Sequence, residues 1–222
     1  MAAPRPSVTR EVFLEAALRI ADQFGPDALT TRSLGNAVGL DSTTVYRYFG
    51  NKDVLLGTLF DHVTGKVLEE IGSDHASPRE LLVAMYAAYR SVFYRHPSVA
   101  RLNGRMADMI QAGQGTAPNT MKLSGIVVSA LREMGLSGRN LILGYQMIES
   151  FIVGAIMLET EAHGHGMGVR ILRYRAFGAG TPELEGASQD EVAEMSDDAL
   201  WAGVDAVLDA VEKMADADTA SQ

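Results

Sequence analysis

The segment that decides the fold is LTTRSLGNAVGLDSTTVYRYFGNKDVLL, residues 29–56. Thr30 is a good N-cap for a short helix that ends before Gly39, and Asp41 is a good N-cap for a second helix that reaches Phe49. Gly39 allows a tight turn between them. The segment therefore predicts two short helices joined by a turn.

The second of these helices has one apolar face and one polar face. Val45 and Phe49 are four residues apart and share the side that packs on the preceding helix. The other side carries hydrogen-bonding groups and one guanidinium: Ser42, Thr43, Tyr46 and Arg47. A helix this short, presented by two supporting helices, has the dimensions to enter a DNA major groove.

Longer helices are predicted on both sides of the segment. Residues 9–24 form the first helix, and residues 51–71 form a fourth, long enough to leave the small N-terminal unit and enter the next one. These lengths predict a DNA-binding domain over residues 1–54, with a tail at 1–8, and a second domain over residues 55–222.

The same segment resembles the DNA-binding domain of the TetR family of bacterial repressors. The hallmark of that family, Y-x-[HY]-F-x-x-K-x-x-L, is present here as Tyr46, Tyr48, Phe49, Lys52 and Leu55, and the pattern T-x-R-x-[LI]-[AG] precedes it. The resemblance covers roughly residues 10–60. Without it, a three-helix structural unit with a polar surface would explain the segment equally well.

The resemblance implies a role for nine side chains. Four of them are expected to approach base edges: Arg32, Ser42, Thr43 and Arg47. Five are expected to hold the phosphate backbone: Thr31, Thr44, Tyr46, Tyr48 and Lys52. Tyr48 stands where many relatives have histidine, and its alternative role is that of a core tyrosine.

Charge is divided unevenly along the chain of 222 residues, whose formal net charge is -9. Residues 1–52 hold six basic and five acidic residues, so the remainder holds 19 - 6 = 13 basic and 28 - 5 = 23 acidic ones. Only the N-terminal part is suited to approach a polyanion. The absence of cysteine excludes disulfides, and with no signal-peptide core at the N-terminus we expect a cytoplasmic protein.

Helical periodicity continues through the second domain, so the predicted fold class is all-α: an N-terminal helix-turn-helix domain followed by a helical bundle. Helices are expected at residues 78–95, 98–111, 118–134, 140–162 and 188–214, with a glycine-rich loop at 164–187 and a frayed tail at 215–222. The helix over 140–162 is apolar nearly all round. Gln146, Glu149 and Ser150 at its centre argue against a membrane span.

This apolar helix predicts a homodimer. It needs cover on more than one side, and two copies of it and of the final helix would form a four-helix interface. A dimer also matches the two half-sites of a near-palindromic, double-stranded DNA operator.

Methionines and aromatic residues between Met85 and Met157 predict either ordinary core or an adaptable cavity for a small hydrophobic or aromatic effector. The expected lining residues are Met85, Tyr89, Phe93, Asn103, Met106, Gln146, Glu149 and Ser150. Glu149 needs a partner in such surroundings, and an arginine such as Arg105 or Arg132 is an alternative to a ligand.

No motif points to catalysis, to a cofactor or to a metal. His163 and His165 lie in a glycine-rich stretch with no third ligand in view, which favours solvated side chains over a metal site. The predicted function is a dimeric, ligand-responsive DNA-binding repressor. The alternatives are a DNA-binding regulator or activator controlled by a protein partner and, with less support, a helical enzyme.

Overall fold

The structure, a computed structural model, describes residues 9–103, 117–165 and 189–219. Within these ranges the regular secondary structure is helical, as predicted. The elements are α1 (Arg10–Phe24), a 3-10 turn (Pro26–Ala28), α2 (Thr31–Val38), α3 (Ser42–Phe49), α4 (Lys52–Ile71), α5 (Pro78–Arg95), α6 (Pro97–Ala100), α7 (Pro118–Glu133), α8 (Gly138–His165) and α9 (Gln189–Thr219).

The first three helices and the start of α4 share one small core. Phe13, Leu34 and Val45 are completely buried in it, and Phe49 and Leu55 are nearly so. Each of the helices α1 to α4 begins with a side-chain cap, from Thr9, Thr30, Asp41 and Asn51. Local capping and a shared apolar core thus fix the unit that the sequence predicted.

Helix α4 belongs to both halves of the molecule. It begins at Lys52 beside α3 and then packs along α5 and α7. A Cβ atom at Gly65 would lie 3.0 Å from Asn119 Nδ2, which shows how closely α4 and α7 approach. The predicted domain boundary at residues 54 and 55 falls near the start of α4.

Charged groups tie α1 to the second domain. The Glu15 carboxylate lies 2.8 Å from both His62 Nε2 and Lys66 Nζ on α4. The hydrogen bond from Lys66, and then that from His62, hold the pKa of Glu15 below its usual range. Further along α1, Asp22 lies 2.8 Å from His96 Nδ1. The first helix is therefore anchored to α4 and to the end of α5.

Two arginines of α5 fasten it to the last two helices. Arg90 forms a bidentate pair with Glu159 of α8, 2.9 Å at its closest, and this carboxylate is almost completely buried. Its hydrogen bonds raise the pKa of Arg90. Arg79 lies 3.0 Å from Asp205 and 3.0 Å from Glu212 of α9.

Among the described residues, helix α8 is covered on one side only. Its Gly144 allows close packing, since a Cβ atom there would lie 2.8 Å from Leu136. On the other side Ile142 is 60% and Leu158 is 54% exposed. By length and composition alone Gly138–Thr160 would suffice to cross a membrane, and only 22% of its most apolar window is buried. Residues 9–103, 117–165 and 189–219 thus do not supply the expected cover on several sides.

The prediction of a frayed tail from residue 215 is wrong as far as Thr219. Helix α9 continues to that residue because its last turns are held against the start of α8. Asp218 accepts hydrogen bonds from the backbone of Ser137 at 3.0 Å and from Asn140 Nδ2 at 2.7 Å, and Ala215 is buried.

The predicted end of the apolar helix also differs from the observed one. His163 and His165 belong to the end of α8 and not to a loop. The rest of the predicted glycine-rich loop and most of the helix expected at 98–111 lie outside the described residues.

Candidate DNA interface and effector cavity

The turn between α2 and α3 is fixed by local geometry. Ser33 Oγ and Thr30 Oγ1 each accept a hydrogen bond from the other residue's backbone N–H, at 2.9 and 3.0 Å, which forms a capping box at the start of α2. Gly39 ends α2 in the left-handed region, with φ 71° and ψ 29°. A Cβ atom at Gly35 would lie 2.6 Å from the Leu40 carbonyl oxygen, so glycine is required there for this close turn.

Asp41 sets the start of α3. Its carboxylate accepts hydrogen bonds from Thr44 N at 2.9 Å and from Thr44 Oγ1 at 3.1 Å. These bonds lower the pKa of Asp41. The half-buried Thr44 therefore uses its hydroxyl proton in the cap, and a phosphate contact by Thr44 remains a prediction.

Helix α3 presents to solvent the face that the sequence predicted. Val45 and Phe49 are 0% and 2% exposed, whereas Tyr46 is 60% exposed. Ser42, Thr43 and Arg47 are exposed beside Tyr46. The buried pair thus orients four hydrogen-bonding side chains outward on a helix of eight residues.

Other side chains predicted to contact DNA lie around this face. Arg32 is exposed and Thr31 half-buried in the first turn of α2, where unpaired backbone N–H groups favour an anion. Lys52 is exposed at the start of α4, and its Nζ donates a 3.3 Å hydrogen bond to the Asp27 carbonyl and lies 3.9 Å from the Asp27 carboxylate. A phosphate must draw Lys52 away from these weak contacts.

Tyr48 packs against the core and is also partly exposed, and its contact with a phosphate stays a prediction. Its ring lies 4.8 Å from the buried ring of Phe13, yet the side chain is 43% exposed. Arg10 contacts the same helical unit: its Nη2 donates a hydrogen bond to Thr58 Oγ1 at 3.2 Å, and its guanidinium lies 5.6 Å from the Phe49 ring centroid.

An apolar cavity of about 90 Å³ lies between α4, α5, α7 and α8. Four of the predicted residues line it: Met85, Tyr89, Asn103 and Glu149. The sequence did not identify the remaining lining residues: Phe60, Thr64, Thr120, Leu123, Ser124, Val127, Tyr145, Ile148, Ile152 and Val153. Several of these are ordinary core types at helical spacing, so nothing in the sequence separates them from the rest of the core.

Three other predicted lining residues, Phe93, Gln146 and Ser150, are not among those that line the cavity. Phe93 is fully buried behind the cavity, with its ring 4.4 Å from that of Tyr89. Gln146 and Ser150 are exposed and do not line this cavity, because Tyr145, Ile148 and Ile152 occupy the inner face of α8. Met106 lies outside the described residues.

Polar groups in the cavity wall are mostly paired with each other. Asn103 Nδ2 donates to the Tyr89 hydroxyl at 3.2 Å, and the Tyr145 hydroxyl donates to Ser124 Oγ at 3.0 Å. Burial, and then the nearby charge of Glu149, raise the pKa of Tyr89. Burial also raises the pKa of Tyr145. Both phenols therefore stay neutral and act as hydrogen-bonding groups.

Glu149 is the one carboxylate among the described lining residues, and its hydrogen bond with Tyr145 contributes to the raised pKa of that phenol. It is exposed at the cavity, and within residues 9–103, 117–165 and 189–219 it forms no ion pair with Arg132 or another basic residue. Arg105, the other partner considered, lies outside those ranges. In the same part of the chain, no group of three or more His, Cys, Asp or Glu residues is placed to hold a metal ion.

Comparisons with known proteins agree with this arrangement. Residues 13–59 match the family described as "Bacterial regulatory proteins, tetR family". The chain is 28% identical over 152 residues to the HTH-type transcriptional repressor DrrR1 of Streptomyces coeruleorubidus. That match covers 68% of this chain and 54% of the relative, so the chain spans about half of that protein's length.

Solved structures share the fold. The TetR transcriptional regulator SCO7222 of Streptomyces coelicolor superposes with a TM-score of 0.72 at 17% identity, over 93% of this chain and 99% of that one. The TetR family protein ActR of the same organism, in complex with actinorhodin, gives 0.71 at 22% identity, over 96% and 99%. Residues 13–59 thus match the N-terminal domain of the TetR family, and the chain shares its fold with solved TetR-family proteins.

Proposed function

We propose that the protein is a homodimeric transcriptional repressor that binds a near-palindromic operator and leaves it when a small hydrophobic effector enters the cavity. The observation that carries the proposal is the polar, solvent-facing side of α3, held outward by the buried Val45 and Phe49. Such a helix fits the major groove, where side-chain donors and acceptors distinguish base pairs. The repressors among its relatives support the direction of regulation.

Roles on the DNA follow from position. Arg47, Ser42 and Thr43 on α3, with Arg32 on α2, are assigned to base edges. Tyr46, Tyr48 and Lys52, with the N-terminal turn of α2 at Thr31, are assigned to phosphates, which fix the register but carry no sequence information. Thr44 supports the start of α3 through its bond with Asp41.

Dimerisation is supported by the uncovered side of α8. Ile142, Met157 and Leu158 are exposed there, and Gln146 and Ser150 lie among them. A second copy of α8 and α9 would cover this face in a four-helix arrangement and place two copies of α3 on one side of the dimer. The exposed position of Gln146 and Ser150, away from the cavity, suits an interface that contains polar as well as apolar groups.

The cavity is coupled to the DNA-binding domain through α4. Phe60 and Thr64 of α4 form part of its wall, and the same helix begins at Lys52 beside α3. A cavity of about 150 Å³ is needed to hold benzene, so an effector larger than one ring must move the walls of a space of about 90 Å³. A displacement of α4 would change the spacing of the two recognition helices and lower operator affinity.

Control by a protein partner is the second candidate. The exposed part of α8 favours it, because the same apolar face would suit another protein's helix. A cytoplasmic location belongs to both proposals, since each requires access to the chromosome.

Selection of bound sequences from random double-stranded DNA tests the proposal. We expect a two-fold symmetric site, protected over both half-sites in a footprint, with affinity that falls steeply as salt rises. A screen of small hydrophobic molecules for release from that site then separates control by an effector from control by a protein. Failure to enrich any sequence at low salt, with intact helical signal and a dimeric mass, would overturn the proposal.

A further inference from the structure

The described part of the cavity wall carries charge of one sign. Among its described lining residues, Glu149 is the only charged side chain, and no lysine, arginine or histidine is included. The carboxylate of Asp61 lies directly behind the wall, where it accepts a hydrogen bond from the lining residue Thr120 at 3.0 Å. The charges of the described residues in and behind the wall therefore oppose an anion and favour a cation.

Aromatic rings surround the same space. Phe60, Tyr89 and Tyr145 contribute three of its walls, from α4, α5 and α8. The negative face of an aromatic ring attracts a nearby cation, most strongly when the cation is partly removed from water. Rings of this kind also pack well against a flat, apolar ligand.

Glu149 stands where an apolar ligand would present its polar end. Its negative charge contributes to the raised pKa values of Tyr89 and Tyr145. Its side chain is also exposed to solvent. An ammonium group placed at this mouth keeps part of its hydration while its ring system enters the apolar interior. A fully buried ion pair would carry a much larger desolvation cost.

We propose that the effector is a lipophilic aromatic amine, bound as a cation with its ring system between α4, α5, α7 and α8 and its ammonium group at Glu149. This assignment rests on the proposed function and narrows it, because the cavity alone would accept any small hydrophobic molecule. Neutral analogues bind more weakly, and anionic ones are rejected.

Three naphthalene probes of matched size test the assignment: 1-naphthylmethylamine, 1-naphthalenemethanol and 1-naphthoate. Binding to the 222-residue chain is measured by titration calorimetry, and release of the selected operator is measured in parallel. We expect the amine to bind roughly tenfold more tightly than the alcohol, from the combined effect of an exposed ion pair and a cation–π contact. We expect the difference in affinity between the amine and the alcohol to decrease in 1 M salt. The naphthoate is expected not to bind.

Substitutions at Glu149 test whether its charge produces the preference for the amine. Glu149→Gln is expected to reduce the preference for the amine to about threefold, the part left to the aromatic rings, and Glu149→Lys to favour the naphthoate. Glu133→Gln is the matched control. Glu133 is exposed at the end of α7 and does not line the cavity, so this substitution removes the same charge from a position outside it. It should leave the preference unchanged.

The outcomes separate the two proposals. Equal binding of amine and alcohol, or an unchanged preference in Glu149→Gln, overturns the cationic assignment but leaves an apolar effector site in place. If no probe binds and none releases the operator while DNA binding is intact, the effector cavity itself fails and the cationic assignment fails with it. If the operator is not bound at all, the proposed repressor function is at fault.

Discussion

The carboxylate of Asp61, on α4, caps the N-terminus of α7 through Thr120. Asp61 Oδ1 accepts hydrogen bonds from Thr120 N at 2.9 Å and from Thr120 Oγ1 at 3.0 Å, and Asn119 Nδ2 donates to Asp61 Oδ2 at 3.1 Å. Asp61 is buried, and α7 has no side-chain cap from its own N-cap residue, Ala117. Because Thr120 also lines the cavity, one buried contact joins the cavity wall to the helix that leads into the DNA-binding domain.

Asp61→Asn should weaken both folding and effector response. The amide keeps the size of the side chain but loses the negative charge that the helix N-terminus favours, so we expect a loss of about 1–2 kcal/mol in the free energy of unfolding. Urea unfolding measures this loss. The operator affinity ratio with and without 1-naphthylmethylamine should move toward one. Asp74→Asn, in the exposed turn after α4, is the control, and an unchanged ratio in Asp61→Asn would show that signalling bypasses this contact.

Arg47→Ala should weaken specific DNA binding without affecting the fold. Arg47 is exposed on α3, and the loss of one base-reading arginine costs about 1–3 kcal/mol of binding free energy. Competition between the selected site and sites changed at single base pairs would measure both affinity and specificity. Arg19→Ala removes the same charge from an exposed position on α1. Equal losses in the two variants would mean that Arg47 contributes charge alone.

Two substitutions of Tyr48 should distinguish its contribution to stability from its contribution to DNA binding. Tyr48→Phe keeps the ring against Phe13 at 4.8 Å, so its unfolding free energy should stay within about 0.5 kcal/mol of the parent while operator affinity falls uniformly across sequences. Tyr48→Ala loses the packing as well and should cost about 1–2 kcal/mol of stability. Thermal unfolding and DNA titration distinguish the variants. Full operator affinity in Tyr48→Phe would exclude a phosphate contact by the hydroxyl.

Leu158→Arg should dissociate the dimer. Leu158 is 54% exposed on α8, and a guanidinium at the centre of an apolar interface is costly to desolvate. Sedimentation should show a monomer with unchanged helical signal and much weaker operator binding. Ser129→Arg adds the same charge at an exposed position on α7 and should remain dimeric. A dimeric Leu158→Arg protein would place the interface elsewhere.

The contact between α1 and α4 should weaken in acid. The pKa of Glu15 is lowered in the folded protein by Lys66 and His62, so the carboxylate binds protons less readily when folded than when unfolded. Its stabilising contribution is fully present above the ordinary carboxyl pKa of about 4.3 and is lost as the pH falls below that value through the lowered one.

Glu15→Gln should therefore make unfolding free energy depend less on pH below about 5. The effect is modest, because the pair is partly exposed. Urea unfolding at several pH values measures it, with Glu11→Gln at an exposed position of α1 as the control. Identical pH profiles for the parent and Glu15→Gln would contradict the prediction.

Local patterns predicted the DNA-facing part well. Caps at Thr30 and Asp41, the turn at Gly39 and the four-residue spacing of Val45 and Phe49 are interactions between near neighbours, and each is found where the sequence placed it. Residues close in the chain have few alternative arrangements. Capping and periodicity therefore decide which side of α3 is exposed.

The cavity was predicted less completely. Met85, Tyr89, Asn103 and Glu149 were identified by type, but Gln146 and Ser150 were not distinguished from residues on the opposite side of α8. An almost uniformly apolar helix has no clear periodicity, so its rotation depends on its neighbours. Here the close packing of Gly144 on Leu136 and the pairing of Glu159 with Arg90 fix the inner face.

By itself the sequence determined the all-helical fold, the helix-turn-helix unit and the exposed side of α3, because all three depend on contacts a few residues apart. Only the tertiary structure decided which side chains enclose the cavity, and how α4 joins that cavity to the DNA-binding domain through Asp61 and Thr120. These depend on contacts between helices far apart in the chain, whose relative rotation follows from packing and buried hydrogen bonds that no local pattern encodes.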